Sequence, residues 1–366
     1  MKYTALATCL LALLNWNCST ELDVNAPYKE ITIVYAALSK TQPDGVNPEI
    51  THYVKINRAF QGSDNAFTYA AIPDSNEYND EQLESARVQE WAGNTLIAEF
   101  DLRDTIIPDR LPGTFYYPEQ KVYYFNAALN QDHEYRFVAI VKGLEVTATT
   151  PIVNDFSLAS NVQSPAFRPT FFNNNGYLDY ELKWDSGDDG RRYEAYFTFY
   201  YREFTSPTDS VSKSFTRLIG SAVTVDTDGG DEQVVSLAGQ DFYTTVASQV
   251  PVDPSVIYRK FLGIQFHWAV ASADFHTFLL LSEPITGIVE DRPDFTNVTN
   301  GYGIFVSRFF KRAPGSGTNL IPASWNPTGA YRTLSETSLE YLANGPVTGD
   351  RGFCVPYAFG TTYSCP

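Results

Sequence analysis

The chain has 366 residues, 43% of them hydrophobic and 15% aromatic, with a formal net charge of −17. That length and apolar content allow two or three packed units rather than one small domain. So acidic a surface repels phosphate backbones and sets nucleic acid aside as a partner, while 24 Tyr and 25 Phe favour pleated, half-buried sheets.

Residues 1–17 read as an export signal: Lys2 is followed by the apolar run Ala5 to Leu14, too short for the ~20 residues that span a bilayer. Cys18 stands directly after it, where a thioether lipid would tie the mature amino end to a membrane. The positions that lipidation signals fill with a small and an aliphatic residue hold Asn17 and Asn15, so a cleaved signal with a free Cys is the alternative. Residues 18–29 are polar, lack periodicity and contain Pro27, as a tether does.

From residue 30 the pattern has period two. Ile31–Leu38 is an apolar run of strand length, His52–Arg58 alternates, and further strands are expected at Thr95–Leu102, Val122–Leu129, Tyr135–Val141 and Leu144–Thr150. Pro43-Asp-Gly45, Pro112-Gly113 and Asn130-Gln-Asp132 supply the turns. These elements predict a sandwich over residues 30–153. Leu129 followed six residues later by Tyr135 resembles the tyrosine corner of immunoglobulin-like and fibronectin type III domains, in which the phenol bonds back to the chain.

A second sandwich is expected over residues 154–313. Leu178–Trp184 alternates and ends in Trp184, suited to a core, and Tyr193–Tyr201 is an aromatic strand. Strands are placed at Val211–Leu218 and Ile257–Val270. Phe242, Val246 and Val250 recur every four residues, one face of a helix. Residues 314–366 form an extension whose Thr333-Leu-Ser-Glu336 reads as a capping box for a helix near 334–343, ending at Asn344-Gly345-Pro346. The fold class is thus mainly β: tandem immunoglobulin-like or fibronectin-like sandwiches, the second elaborated with short helices. Cys354 and Cys365 suit a disulfide in an oxidising compartment.

Chemistry is sparse. The four His, at 52, 133, 267 and 276, show no metal-ligand spacing, and neither a Gly-x-Ser-x-Gly elbow nor a phosphate-binding glycine loop occurs. Asp185–Gly190 and the loop carrying Asp226, Asp228 and Asp231 could offer oxygens to calcium, although ordinary turns use the same residues. Tyr200, Tyr201, Trp325 and Tyr331 are candidates for stacking on sugar rings.

Cys18-Ser-Thr-Glu-Leu-Asp-Val24 followed by a β run, Pro73-Asp-Ser75, Phe115-Tyr-Tyr-Pro-Glu-Gln120 and above all Asp291–Arg308 are similar to segments of uncharacterised Bacteroidota outer-membrane lipoproteins, often encoded beside TonB-dependent receptors. The resemblance implies an outer-membrane, lipid-anchored chain, cell-surface exposure and a transporter partner. It brings no catalytic residues. Within its late motif, Asn300-Gly301 reads as a tight turn and Gly303 as a point of close backbone approach. The expected function is binding of a glycan or peptide ligand, or an accessory role at a transporter. The alternatives are a glycan-processing enzyme working through a carboxylate pair and a passive structural or adhesive module.

Overall fold

The computed structural model describes residues 31–41, 50–59, 66–164, 166–283, 294–315, 331–354 and 365. Cys18, the tether, the Pro43–Gly45 turn, residues 291–293 and Trp325 lie outside these. The architecture is mainly β, two sandwiches in tandem, as the period-two pattern predicts.

The first sandwich is built from β1 (Ile31–Thr41), β2 (Ile50–Ala59), β3 (Leu83–Ala92), β4 (Thr95–Asp101), β5 (Arg103–Ile107), β6 (Gln120–Ala127), β7 (Glu134–Val141) and β8 (Leu144–Pro151). One sheet carries β1-β2-β6-β5 and the other β8-β7-β3-β4. Alternation decides what goes inside: β1 buries Thr32, Val34, Ala36 and Leu38, and β2 buries His52, Val54 and Ile56. These pack on Val88, Phe137, Ala139, Val146 and Ala148 of the facing sheet.

In the second sandwich, β9 (Ser157–Leu158) is followed by the short pair β10 (Phe172–Asn173) and β11 (Gly176–Tyr177), then β12 (Tyr180–Asp185), β13 (Arg192–Phe204), β14 (Ser210–Val223), β15 (Glu232–Leu237) and β16 (Tyr258–Ala271). Strands β15-β12-β9 form one small sheet. Trp184 lies at the centre of this core, 5.9 Å from the Trp268 ring and edge-on to it. The Gly239–Gln249 helix buries Phe242 and Val246 as its four-residue spacing predicts, with Val250 buried just beyond its end.

The two sandwiches share a sheet. Late in the chain come β17 (Val298–Thr299), β18 (Gly301–Arg312) and β19 (Phe353–Cys354). Among the described residues one nine-stranded sheet runs β14-β13-β16-β18-β1-β2-β6-β5, with β19 beside β16. β18 pairs parallel with β1 and antiparallel with β16. On one face of β18, Phe305 enters the first core and Phe309 the second. Between them the Ser307 hydroxyl accepts from Val153 N at 3.3 Å.

The late motif makes this junction. β17 pairs with β8 in one sheet while β18 lies in the facing sheet, so Asn300-Gly301 is the corner between sheets. Asn300 takes a left-handed φ of 57° and its amide donates to Glu145 O at 2.9 Å. A Cβ on Gly303 (φ +111°) would sit 2.1 Å from Val34 O, and one on Gly301 would sit 2.8 Å from Thr32 O. Both glycines are therefore required by the approach of β1, as the sequence suggested for Gly303. The Asn297 amide donates to Phe305 O at 2.9 Å and its carbonyl accepts from Phe305 N at 2.9 Å.

Residues 331–354 are not peripheral: Leu334, Leu339, Leu342 and Phe353 belong to the second core. The helix there spans Glu336–Asn344 and its N-cap is Ser335, whose hydroxyl accepts from Ser338 N at 3.4 Å. This corrects the expected box at Thr333. Arg332 exchanges backbone hydrogen bonds with Ile264 at 2.7 and 2.9 Å, and Ser335 N donates to Pro169 O. These bonds hold residues 332–335 out of the helix until Ser335. The Ala273–Ser282 helix, which the sequence reading did not place, packs against β18 and β16 on the other side of the sheet.

Gly303→Ala should destabilise the fold by ~3 kcal/mol or more, because it strains the backbone and wedges β1 from β18. Gly113→Ala, with nothing within 4 Å of the added carbon, should change stability by less than ~0.5 kcal/mol. Thermal melts of the two variants check the contrast.

Burial lowers the pKa of His52, opposed in part by its contact with Ala127 O at 3.2 Å. The unfolded chain takes up this proton near pH ~6.5, the folded chain only at lower pH. The stability contribution is thus complete above ~6.5 and declines as pH falls below it, until the folded value is passed. A His52→Phe variant should show a shallower loss of melting temperature between pH ~6.5 and ~5 than the parent.

Candidate ligand-binding cleft

A hollow of about 550 Å³ opens at the edge of the first sandwich. β5 is the edge strand there, and the chain from residue 108 to 119 returns to β6 over it. This return is held by backbone bonds from Arg110 N to Pro118 O (2.8 Å) and from Tyr116 N to Ala70 O (3.0 Å). It is lined by Pro73 and Glu77 from one segment and by Tyr116, Tyr117, Pro118 and Glu119 from another. The two stretches singled out in the first half of the chain, 73–75 and 115–120, therefore meet at one site.

The polar groups are organised around Glu77. Its carboxylate accepts from the Tyr116 phenol and from Lys121 N at 3.3 Å. Burial and then this carboxylate push the Tyr116 pKa well above its ordinary value, so the phenol keeps its proton. Lys121 Nζ lies 3.7 Å from Asp104 Oδ2 and 5.4 Å from the Tyr123 ring centre. The Arg110 guanidinium covers Phe115 and Tyr116 at 5.3 and 5.7 Å. Around this paired interior the rim is apolar and open: Tyr117 is 55% and Ile106 59% exposed. An aromatic rim with satisfied polar groups beneath it suits a sugar ring or an extended peptide. Glu77 and Asp104 each already have partners, and the described residues carry no catalytic signature.

The structure disperses other sequence candidates and joins some. The two acidic loops do meet: Gly230 N donates to Ser186 O and Asp189 N to Thr227 O, both at 2.8 Å. The Tyr193 phenol accepts from Gly187 N at 2.9 Å and pins the first loop from the core. Asp226 Oδ1, however, accepts from Asp228 N at 3.1 Å in a local turn. Among the described residues no group of three or more His, Cys, Asp or Glu is arranged to hold a metal. Of the calcium candidates Asp226, Asp228 and Asp231, Asp226 is seen forming a turn of its own.

Tyr135 forms the expected corner: it is fully buried and its phenol accepts from Asn130 N at 2.9 Å, with Leu129 buried beside it. Alternation separates Tyr200 from Tyr201. Tyr200 faces outward and stacks on Tyr331 with ring centres 4.1 Å apart, whereas Tyr201 is 4% exposed in the second core. Tyr201 is thereby removed from the sugar-stacking candidates. Cys354 and Cys365 are joined as a disulfide. The sequence reading missed Ile106, Tyr117 and Lys121 as neighbours. The signal available was the aromatic cluster at 115–117 beside Pro118.

No family model matches the chain, and no curated protein matches it. Among solved structures it is similar to the C-terminal globular domain of an oligosaccharyltransferase from Pyrococcus abyssi, at 13% identity and a TM-score of 0.19, over 57% of this chain and 39% of that one. This likeness carries no argument about function.

The disulfide closes a loop with a sequence separation of 11, which by chain entropy is worth about 2.5–3 kcal/mol. Reduction, or a Cys354→Ser and Cys365→Ser double variant, should lower stability by that amount in denaturant titrations and leave the first sandwich folded. A fall in both sandwiches' transitions together would show that the loss passes through the shared sheet.

Proposed function

We propose that this chain is a lipid-anchored protein of the outer membrane, facing the cell surface, that binds a glycan or peptide ligand and serves as accessory subunit to a TonB-dependent transporter. The cleft at residues 71–77 and 104–121 carries the binding part of this reading. Two of its three lining carboxylates, Glu77 and Asp104, are engaged by Tyr116 and Lys121, and its open rim offers Tyr117 and Ile106 beside Glu119. The reading is binding rather than turnover because general acid–base catalysis needs a group placed to exchange a proton with the ligand, and Glu77 is held by the Tyr116 phenol and Lys121 N.

The anchoring part rests on Cys18 directly after a segment, residues 1–17, that reads as an export signal, and on the similarity of the Asp291–Arg308 stretch to envelope lipoproteins. No helix among the described residues is long and apolar enough to cross a membrane; in this reading attachment comes from the amino-terminal lipid.

The test is a pull-down of tagged full-length protein from detergent-solubilised membranes, with mass spectrometry of the amino-terminal peptide. A diacylated peptide starting at Cys18 and a co-purifying outer-membrane receptor are expected. A lone, unacylated chain in the soluble fraction would overturn the proposal. In glycan and peptide capture assays, Tyr117→Ala should weaken binding about tenfold, consistent with the loss of one aromatic contact surface. Turnover of a captured glycan that disappears in Glu77→Gln would replace binding with catalysis.

A further inference from the structure

We infer a second, separate ligand site for a sugar carboxylate on the open face of the nine-stranded sheet, centred on Arg308. The site lies over β1, between β2 and β18, and it stands or falls independently of the edge cleft. Outward-facing residues alternate with the core residues already described: Tyr35, Ala37 and Ser39 on β1, Thr51 and Tyr53 on β2, Ile304 and Arg308 on β18. Ala37 is the smallest of these, and over it lies a hollow of about 290 Å³, near the lower end of ligand-sized cavities. Tyr35 and Tyr53 flank it, 41% and 50% exposed. Tyr35 is steadied from behind by Phe278 of the Ala273–Ser282 helix, ring centres 6.3 Å apart.

Arg308 is what distinguishes this hollow. Its Nε donates to Ser39 Oγ at 2.6 Å and its guanidinium lies 5.0 Å from the Phe310 ring centre. Both contacts fix the plane of the group. Neither uses the two terminal nitrogens, and among the described residues no carboxylate pairs with it. Arg259, more deeply buried, is saturated by Glu203 at 2.9 Å and by the carbonyls of Pro251 and Arg351. Arg332, fully buried, donates to the carbonyls of Asn161, Val162 and Pro314.

Arg308 has no such set, yet burial lowers its pKa with nothing opposing the shift. A half-buried guanidinium remains charged at neutral pH and retains an unmet demand for an anion. Two parallel N–H groups match a carboxylate in the bidentate geometry that Lys cannot reproduce. The tyrosine faces on either side favour a sugar ring as the body that carries the carboxylate, and the Thr51 hydroxyl, which donates to Asn126 Oδ1 at 2.8 Å, keeps a lone pair to accept from one of its hydroxyls. The ligand class is therefore a uronic-acid-type sugar.

The test is isothermal titration of the full-length protein in detergent with glucuronate and galacturonate oligosaccharides, against glucose oligosaccharides and a carboxylate without a sugar ring, hippurate. Saturable uronate binding is expected, lowered at least tenfold by Arg308→Gln and by Arg308→Lys, and lowered by Tyr53→Ala. Arg312→Gln, an exposed arginine on the same strand, should leave it unchanged. Tyr117→Ala at the edge cleft should also leave it unchanged, which separates failure here from failure of the cleft. No uronate binding, equal binding of neutral sugars, binding of hippurate alone, or equal losses in Arg308→Gln and Arg312→Gln would each overturn the assignment. Circular dichroism of each variant confirms that a loss reflects the site and not the fold.

Discussion

The parallel pairing of β1 with β18 is the constraint on which the rest of the molecule depends. It joins residues near 31–41 to residues near 301–312, so the chain closes one sheet across its whole length. Loop-closure entropy must be met before such a pairing is rewarded. The reward lies along one face of β18, where Phe305 and Phe309 fill different cores. The absence of a side chain at Gly303 lets Val34 O approach, and the Asn297 side chain clamps the strand at Phe305. A packing role thus accounts for the most distinctive stretch of the chain, and it is a role in joining units rather than in filling one.

A shared sheet changes what two sandwiches can do. Domains linked only by a tether move relative to one another by default. Here hydrogen bonds along β1–β18 and β18–β16 continue the sheet from one unit into the next. The edge cleft on β5 and the hollow over β1 therefore lie on one continuous scaffold. Sites on sheet scaffolds hold their geometry better than sites on loops alone. In the cleft the loop from 108 to 119 is itself tied down by backbone bonds, and the Glu77–Tyr116 contact fastens it to the 71–77 turn.

The buried cations show how the structure handles charge. Removing a guanidinium from water is costly unless its donors are met. Arg332 directs its two terminal nitrogens to carbonyl oxygens from two segments, and in doing so gathers residues 161–162, 314 and 332 at one point. Arg259 and Lys213 meet at Glu203, whose burial would raise its pKa but whose hydrogen bonds to both cations hold it below the usual carboxylate range. Arg308 departs from this pattern.

The sequence by itself determined the local facts. Period two marked the strands and told which residues share a face, a four-residue spacing marked the Gly239–Gln249 helix, and Asn300-Gly301 marked a corner. Leu129 and Tyr135 announced a phenol that bonds back to the chain, and Cys354 and Cys365 their own bridge. These are legible because they follow from steric preferences and spacings within a few residues. Only the tertiary structure decided that β1 lies beside β18, that residues 331–354 complete the second core, that segments 73–77 and 115–121 wall one cleft, and that no carboxylate among the described residues pairs with Arg308. Alternation fixes the face a side chain occupies but not the strand that comes to lie next to it, and partners hundreds of residues apart leave no local trace.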